Sequence, residues 1–293
     1  MYLIIKKELL APSIYSMDIL APRVAKAALP GQFVIIIVDK NGERIPLTIC
    51  DSDIEKGTVT IVTQAIGAST KKLVKKEVGE YLKDVVGPLG KPSEFVNEDI
   101  EVLKKKKILF AGGGVGVAPI IPQAKWLKER GIDFDILTGS KSKEFIILED
   151  KFSKLTKNLM IATDDGSYGF HGFVNSGIEE LVVNQGKKYD LSIIICPMIM
   201  MKFTSLTTKK LGLPSIVSLN PIMVDGTGMC GACRVTVGGE TKFACVDGPE
   251  FDAHLIDWDE ALRRQAQYKE EEIKKDHEYC ELVGGMTIDG KTY

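Results

Sequence analysis

ILFAGGGVGVAPIIPQAKWLKERG (residues 108–131) decides how the middle of this 293-residue chain folds. Its apolar opening reads as a strand, its glycines as a tight turn, and PIIPQAKWLKERG (119–131) as a helix stopped at Gly131. A glycine-rich turn between strand and helix lets the backbone close on a phosphate, which the free N–H groups and the helix dipole favour. Gly114, Gly116 and Pro119 form G-x-G-x-x-P, and Gly113, Val115 and Ala118 complete the candidate nucleotide-binding turn. Pro119 suits the first helical turn, where its missing N–H costs nothing. The third glycine of the usual dinucleotide fingerprint is missing, so a bare strand–helix turn is the alternative on this stretch alone.

Outward from that turn, strands keep alternating with helical material. FDILTGS (134–140) and YDLSIIIC (189–196) read as further strands, which implies a parallel α/β domain with right-handed crossovers. TDDGSYGFHG (163–172), with Asp164, Asp165 and Gly166, and CPMIMM (196–201), with Cys196, Pro197 and Met198, each follow a strand. Both fall at carboxyl ends of strands, where open α/β sheets bind ligands. The methionines by themselves read as core. Ser140-Lys141-Ser142-Lys143 offers no acid for a ribose 2′-hydroxyl and has the groups for a 2′-phosphate.

Residues 1–99 read differently, as short strands between turns. QFVIIIVD (32–39) is a compact apolar run and GTVTIVTQAIG (57–67) alternates as a half-buried strand does. One short helix is expected over STKKLVKK (69–76), and a small antiparallel barrel is the economical fold. RIPLTI (44–49) reads as an edge strand that turns Arg44, Pro46 and Thr48 to one face, a cation for phosphate and a hydroxyl for a ring nitrogen. Gly67, Ser69 and Thr70 of GAST (67–70) sit at a possible helix start suited to phosphate, and GPLG (87–90) reads as a turn.

From about residue 221 the chain becomes rich in glycine and cysteine. MVDGTGMCGACRV (223–235) carries Cys230 and Cys233, and Cys245 follows after eleven residues. Plant-type 2Fe–2S sites use C-x4-C-x2-C and a distant cysteine. Asp225 occupies the first of those positions. An oxygen ligand at Asp225, a site with three protein ligands, Cys280 as a fourth thiol, and a zinc site with three thiolates and one carboxylate all stay open on the residues alone. DWDEALRRQAQYKEEEIKKDHEY (257–279) reads as one charged helix, solvated on most of its surface. His254 reads as structural rather than catalytic.

Bulk composition narrows the function classes. A net charge of −2 does not favour nucleic acid or an anionic membrane as a partner. The longest apolar run, LSIIICPMIMM (191–201), is too short to span a bilayer, and the N-terminus lacks the order of a signal peptide. Six cysteines, three of them clustered, do not resemble a secreted disulfide framework, so a reducing, cytoplasmic setting is expected.

Taken in order, RIPLTI, GAST, GPLG, GGGVGVAP, TDDGSYG and CPMIMM resemble the ferredoxin–NADP reductase superfamily. The cysteine-rich segment narrows the likeness to dihydroorotate dehydrogenase electron-transfer subunits and to small subunits of NADH-dependent reduced ferredoxin:NADP oxidoreductases. The resemblance covers residues 1–258. It implies an FAD-binding barrel over 1–99, an NAD(P)-binding α/β domain over 100–220, a 2Fe–2S segment over 221–256, and a C-terminal helix and tail over 257–293. It further implies FAD held by Arg44, Pro46, Leu47, Thr48, Ile49, Gly67, Ser69, Thr70 and Gly87, with Arg44 on the pyrophosphate and Thr48 near flavin N5. Cys196 falls near the nicotinamide of NAD(H) or NADP(H), and Asp225, Cys230, Cys233 and Cys245 fall on the cluster. No catalytic triad is expected. The implied role is electron transfer between NAD(P)H, FAD, the cluster and a larger flavin/iron–sulfur partner, with ferredoxin reached through that partner and electron bifurcation in the complex. A dihydroorotate-linked subunit and a non-catalytic binding subunit are the alternatives.

Overall fold

Alternating and β-branched residues between Tyr2 and Leu89 build one antiparallel sheet. In chain order it holds β1 (Tyr2–Ala11), β2 (Ile14–Leu20), helix α1 (Pro22–Ala27), β3 (Phe33–Ile37), β4 (Arg44–Asp53), β5 (Thr58–Gln64), helix α2 (Ala68–Val74), β6 (Tyr81–Leu82) and β7 (Asp84–Leu89). The strand order β6-β1-β2-β5-β4-β3-β7 forms the expected, nearly closed barrel. Ile4, Met17, Ile19, Val34, Ile36 and Ile61 fill its interior. This is a computed structural model; it describes residues 1–282 and the backbone of 287–288 and 291–292. Of the C-terminal segment expected over 257–293, residues 283–286, 289–290 and 293 lie outside the described residues.

Two expectations for the barrel change. RIPLTI lies inside the sheet, because β4 switches partner partway: Arg44–Thr48 pairs with β3 and Ile49–Asp53 with β5. The first half is therefore an edge on one side only. Pro46, with no N–H to donate, sits in that singly paired half. GPLG is not a free turn; Gly87 to Leu89 belong to β7, and a Cβ on Gly87 would come within 2.8 Å of Val34 Cγ1.

The second unit runs α3 (Ile100–Leu103), β8 (Ile108–Gly113), α4 (Ile120–Glu129), β9 (Phe134–Ser140), α5 (Glu149–Leu155), β10 (Leu159–Thr163), β11 (Phe170–His171), α6 (Val174–Glu179), β12 (Leu191–Ile195), α7 (Met198–Lys210) and β13 (Ser215–Ser218). Its strands are parallel in the order β11-β10-β9-β8-β12-β13. The chain steps outward from β8 on one side and returns on the other through β12, so the switch point falls between β8 and β12. The predicted ends of FDILTGS are those of β9, while YDLSIIIC is paired only over Leu191–Ile195.

The cysteine-rich segment contributes β14 (Arg234–Val237), β15 (Glu240–Phe243) and β16 (Glu250–Asp252). The first two form a hairpin, and β16 joins β13 antiparallel as the edge of the nucleotide sheet. The single charged helix expected over 257–279 is two: α8 (Trp258–Gln265) and α9 (Lys269–Leu282). Asp257 caps α8 by accepting from the Glu260 N–H at 2.9 Å. Trp258 and Ala261 are buried, so α8 packs on the nucleotide domain rather than lying in solvent. No residue of α9 is buried; α9 lies against α2, where Lys71 Nζ meets Asp276 Oδ2 at 2.8 Å.

Candidate functional site

The nucleotide crevice opens where sheet order reverses, between the loops after β8 and β12. Gly114 holds a left-handed φ of +57°, which starts the tight turn. A Cβ on Gly116 would lie 2.4 Å from the Ile195 carbonyl oxygen, so only glycine lets the two loops touch. A Cβ on Gly113 would meet Met200 Cε at 2.8 Å and Cys196 Sγ at 3.1 Å, which places Cys196 at the crevice floor. Burial pushes the Cys196 thiol up to about 12, so it is a neutral wall and not a nucleophile. Pro197 precedes α7, while Met198 points into the core. Gly114, Val117, Thr138, Gly139, Ser140 and Ile147 line the adjoining cleft.

The TDDG loop abuts the loop after β9. Asp164 N donates to the Ser140 carbonyl at 3.0 Å and Asp165 N to that of Lys141 at 3.3 Å. Burial and then the Asp165 charge raise the Asp164 carboxyl above its ordinary value. Two carboxylates thus stand beside Ser140–Lys143, brought there from the neighbouring strand. Single-strand reading missed that, because the pairing of β9 with β10 brings the two loops together.

On the barrel, Thr48 and Pro46 lie half-buried on the singly paired half of β4, and Leu47 is half-buried with Ile49 in the core. The Thr70 hydroxyl closes the turn into α2, accepting from Gly67 N at 3.2 Å and donating to the Gly67 carbonyl at 3.0 Å. Ser69 Oγ contacts the Glu43 carboxylate. Arg44 reaches furthest: its guanidinium donates to the carbonyls of Val224 and Asp225, the latter at 3.0 Å. The strand carrying the flavin-type motif therefore touches the cysteine-rich loop directly.

That loop folds around Asp225. Its carboxylate accepts backbone N–H bonds from Thr227 at 2.7 Å, Met229 at 3.1 Å and Cys230 at 2.8 Å. Those bonds, that of Thr227 first, hold its pKa below the ordinary value. Gly226 takes a φ of +78° and packs against Ile35 and Leu89 of the barrel. Cys233 and Cys245 are buried together, with Cys245 N 3.4 Å from Cys233 Sγ. Burial and then the adjacent Cys233 thiol push the Cys245 thiol up to about 12, against an opposing N–H bond from Gly228.

The donor set suits an iron–sulfur cluster better than a lone ion. Among the described residues no group of three or more His, Cys, Asp or Glu side chains is drawn together to hold one metal ion. The four residues come instead as two neighbouring pairs: the Cys230 N–H donates to Asp225 Oδ2 at 2.8 Å, and the Cys245 N–H lies 3.4 Å from Cys233 Sγ. Two such pairs are donors that could hold a 2Fe–2S cluster. Cys280 does not join them; it lies on α9 with its Sγ 3.6 Å from Lys71 Nζ. His254 Nε2 is 3.0 Å from Thr208 Oγ1 and braces α7, a structural role.

Two features escaped the sequence. Arg264 of α8 donates to the carbonyls of Arg234 and Ala232, each at 3.1 Å. Glu250 brings three parts of the chain together, accepting at 2.9 Å from Ser93 Oγ beside the barrel and at 2.9 Å from Gln123 Nε2 of α4. Neither sits in a recognisable motif, because side-chain bonds to distant positions leave no local pattern.

A flavin-type barrel, a parallel nucleotide sheet and a cluster loop touching both define the class as a flavin- and iron–sulfur-dependent reductase of the ferredoxin–NADP reductase type. A family model for the iron–sulfur cluster binding domain of dihydroorotate dehydrogenase B matches residues 220–257. The chain is 46% identical to a dihydroorotate dehydrogenase B (NAD(+)) electron transfer subunit homolog of Thermotoga maritima, over 92% of each chain. It is 63% identical to an uncharacterized protein in the adh 3′ region of Clostridium beijerinckii, over 94% of this chain and 93% of that one. Among solved structures it matches that of an NADH-dependent reduced ferredoxin-NADP oxidoreductase, described for flavin-based electron bifurcation. The TM-score there is 0.87 at 44% identity, covering 95% of this chain and 97% of the other. The chain belongs to the family of dihydroorotate dehydrogenase B electron-transfer subunits and their homologues.

Proposed function

We propose that this chain is the NAD(P)H-oxidising or NAD(P)+-reducing electron-transfer subunit of a larger oxidoreductase, with FAD in the barrel and a 2Fe–2S cluster on Asp225, Cys230, Cys233 and Cys245. The observation that carries the reading is the contact of Arg44, in the flavin-type motif, with the backbone of Val224 and Asp225 in the cysteine-rich loop. FAD held there would supply the conversion between a two-electron nicotinamide and a one-electron cluster.

The chain's own residues supply placement. Gly113, Gly114, Val115, Gly116, Ala118 and Pro119 present backbone to a pyrophosphate, and Asp164, Asp165 and Gly166 flank the ribose. Cys196, Pro197 and Met198 bound the nicotinamide end. Thr48 offers a hydroxyl to the flavin ring, and Gly67, Ser69, Thr70 and Gly87 border the rest of the cofactor. The working division is 1–99, 100–220 and 221–256, with 257–293 appended.

A one-electron wire implies a protein partner, so we assign a larger flavin/iron–sulfur subunit in a heterodimer or higher assembly, with ferredoxin reached through it. Asp225, where the dihydroorotate-type pattern has cysteine, favours the ferredoxin-linked, bifurcating role over the dihydroorotate-linked one. None of the six cysteines is joined in a disulfide, in keeping with the proposed cytoplasmic setting. No helix among the described residues is long and apolar enough to cross a membrane.

Anaerobic purification with flavin, iron and acid-labile sulfide analysis, followed by NADH addition, tests the reading. Flavin with two irons per chain and bleaching by NADH are expected. A protein with neither flavin nor bleaching is a binding subunit instead. Asp225→Cys should alter the EPR spectrum of the reduced cluster, and an unchanged spectrum and potential would exclude ligation by Asp225.

A further inference from the structure

We propose that Arg264 is a positioning residue of the cluster loop, whose guanidinium both fixes the backbone around Cys233 and raises the reduction potential of the cluster. The inference rests on the reading of Asp225, Cys230, Cys233 and Cys245 as cluster ligands. Arg264 lies in α8, beyond the segment 220–257 that matches the iron–sulfur domain.

The geometry is specific. Arg264 Nε donates to the Arg234 carbonyl at 3.1 Å and Nη2 to the Ala232 carbonyl at 3.1 Å. These carbonyls belong to the residues just before and just after Cys233, so one planar fork holds the backbone on both sides of a ligand. The fork is itself anchored. Trp258 and Ala261 bury α8 in the nucleotide-domain core, and Trp258 Nε1 donates to the Ala253 carbonyl at 3.3 Å. Lys202 of α7 pairs with Asp259 at 2.6 Å. Because α7 begins directly after Cys196 and Pro197, the cluster loop is referenced to the nicotinamide end of the crevice. Arg44 holds the other end of the loop through Val224 and Asp225, so guanidinium groups from two different domains grip it.

The charge acts in the same direction as the geometry. Reduction adds one electron to the cluster, and a positive guanidinium beside it stabilises the more negative form. Arg263, one position away, is exposed and supplies the same charge from the same helix, so it serves as the control.

The test compares wild type, R264Q, R264K and R263Q by iron and sulfide content, EPR of the reduced cluster and spectroelectrochemical titration. R264Q should shift the cluster to a more negative potential with an altered EPR spectrum. R264K, which keeps the charge and loses the fork, should recover the potential in part while its spectrum stays altered, and R263Q should match wild type. Loss of the cluster alone from R264Q, with flavin and thermal unfolding retained and R264K restoring iron, is the other supporting result. Potentials and spectra of R264Q equal to wild type would overturn the inference and leave the cluster reading standing. An equal shift in R263Q, or loss of flavin and fold along with the cluster in R264Q, would overturn it too. Wild type without iron or sulfide would instead remove the cluster reading on which it rests.

Discussion

At Gly116 the space between two strands' loops is set by the absence of a single carbon. Adding it in Gly116→Ala would drive Cβ to 2.4 Å from the Ile195 carbonyl, and backbone cannot yield as a side-chain tip does. Overpacking of this kind costs about 1–3 kcal/mol. A lowered thermal midpoint together with weaker NADH binding by titration is expected. Glu250 makes the second prediction at this scale. The residue is half-buried overall, but its Oε2 is shut from solvent and has no hydrogen-bond partner, and Gln123 Oε1 is likewise unpartnered. Burial above all, with the Glu94 charge adding to it, raises the Glu250 acid from 4.5 to about 7 against the bonds from Ser93 and Gln123. The folded chain thus retains a proton that the unfolded chain releases. The resulting stabilisation is complete below pH 4.5 and is lost as pH rises through about 7. Urea midpoints measured across that range should fall for wild type relative to Glu250→Gln; parallel curves would refute the assignment. The sequence showed the glycine, whose motif is local, and hid the glutamate, whose three neighbourhoods lie far apart in the chain.

Elements were legible where periodicity and punctuation agreed. FDILTGS is a strand end to end because its buried apolar run stops at a polar loop, and PIIPQAKWLKERG stops at a glycine with φ of +69°. The C-terminal charged stretch reads as one helix yet forms two, because its apolar positions, Trp258, Ala261 and Leu262, serve α8 alone. Beyond them α9 docks by charge: Lys71, only 4% exposed, meets Asp276 at 2.8 Å, and Lys75 lies over the Tyr279 ring at 5.2 Å. Removing the carboxylate charge in Asp276→Asn weakens the compensation of a buried cation. The expected result is a lower thermal midpoint with the cluster spectrum unchanged. A shifted cluster spectrum would mean that α9 communicates with the loop.

For the molecule as a whole, we expect the choice between NADH and NADPH to turn on two loops that only the sheet brings together. Asp164 and Asp165 sit against Ser140 and Lys141, so carboxylates that accept ribose hydroxyls would face a 2′-phosphate with like charge. Stopped-flow reduction of the bound flavin should therefore be faster with NADH than with NADPH, and equal or reversed rates would refute this. The path of the chain through the nucleotide sheet carries one more consequence. The cysteine-rich segment leaves the sheet at β13 and comes back to it at β16, the strand alongside. It is a loop inserted into a finished sheet and not a trailing appendage. A protease that cuts beside Met229, 89% exposed, would sever the polypeptide without freeing either piece. The two fragments should migrate together in a native gel and separate only in denaturant, so the electron-carrying loop stays bound to its domain by pairing of strands even when the covalent link is gone.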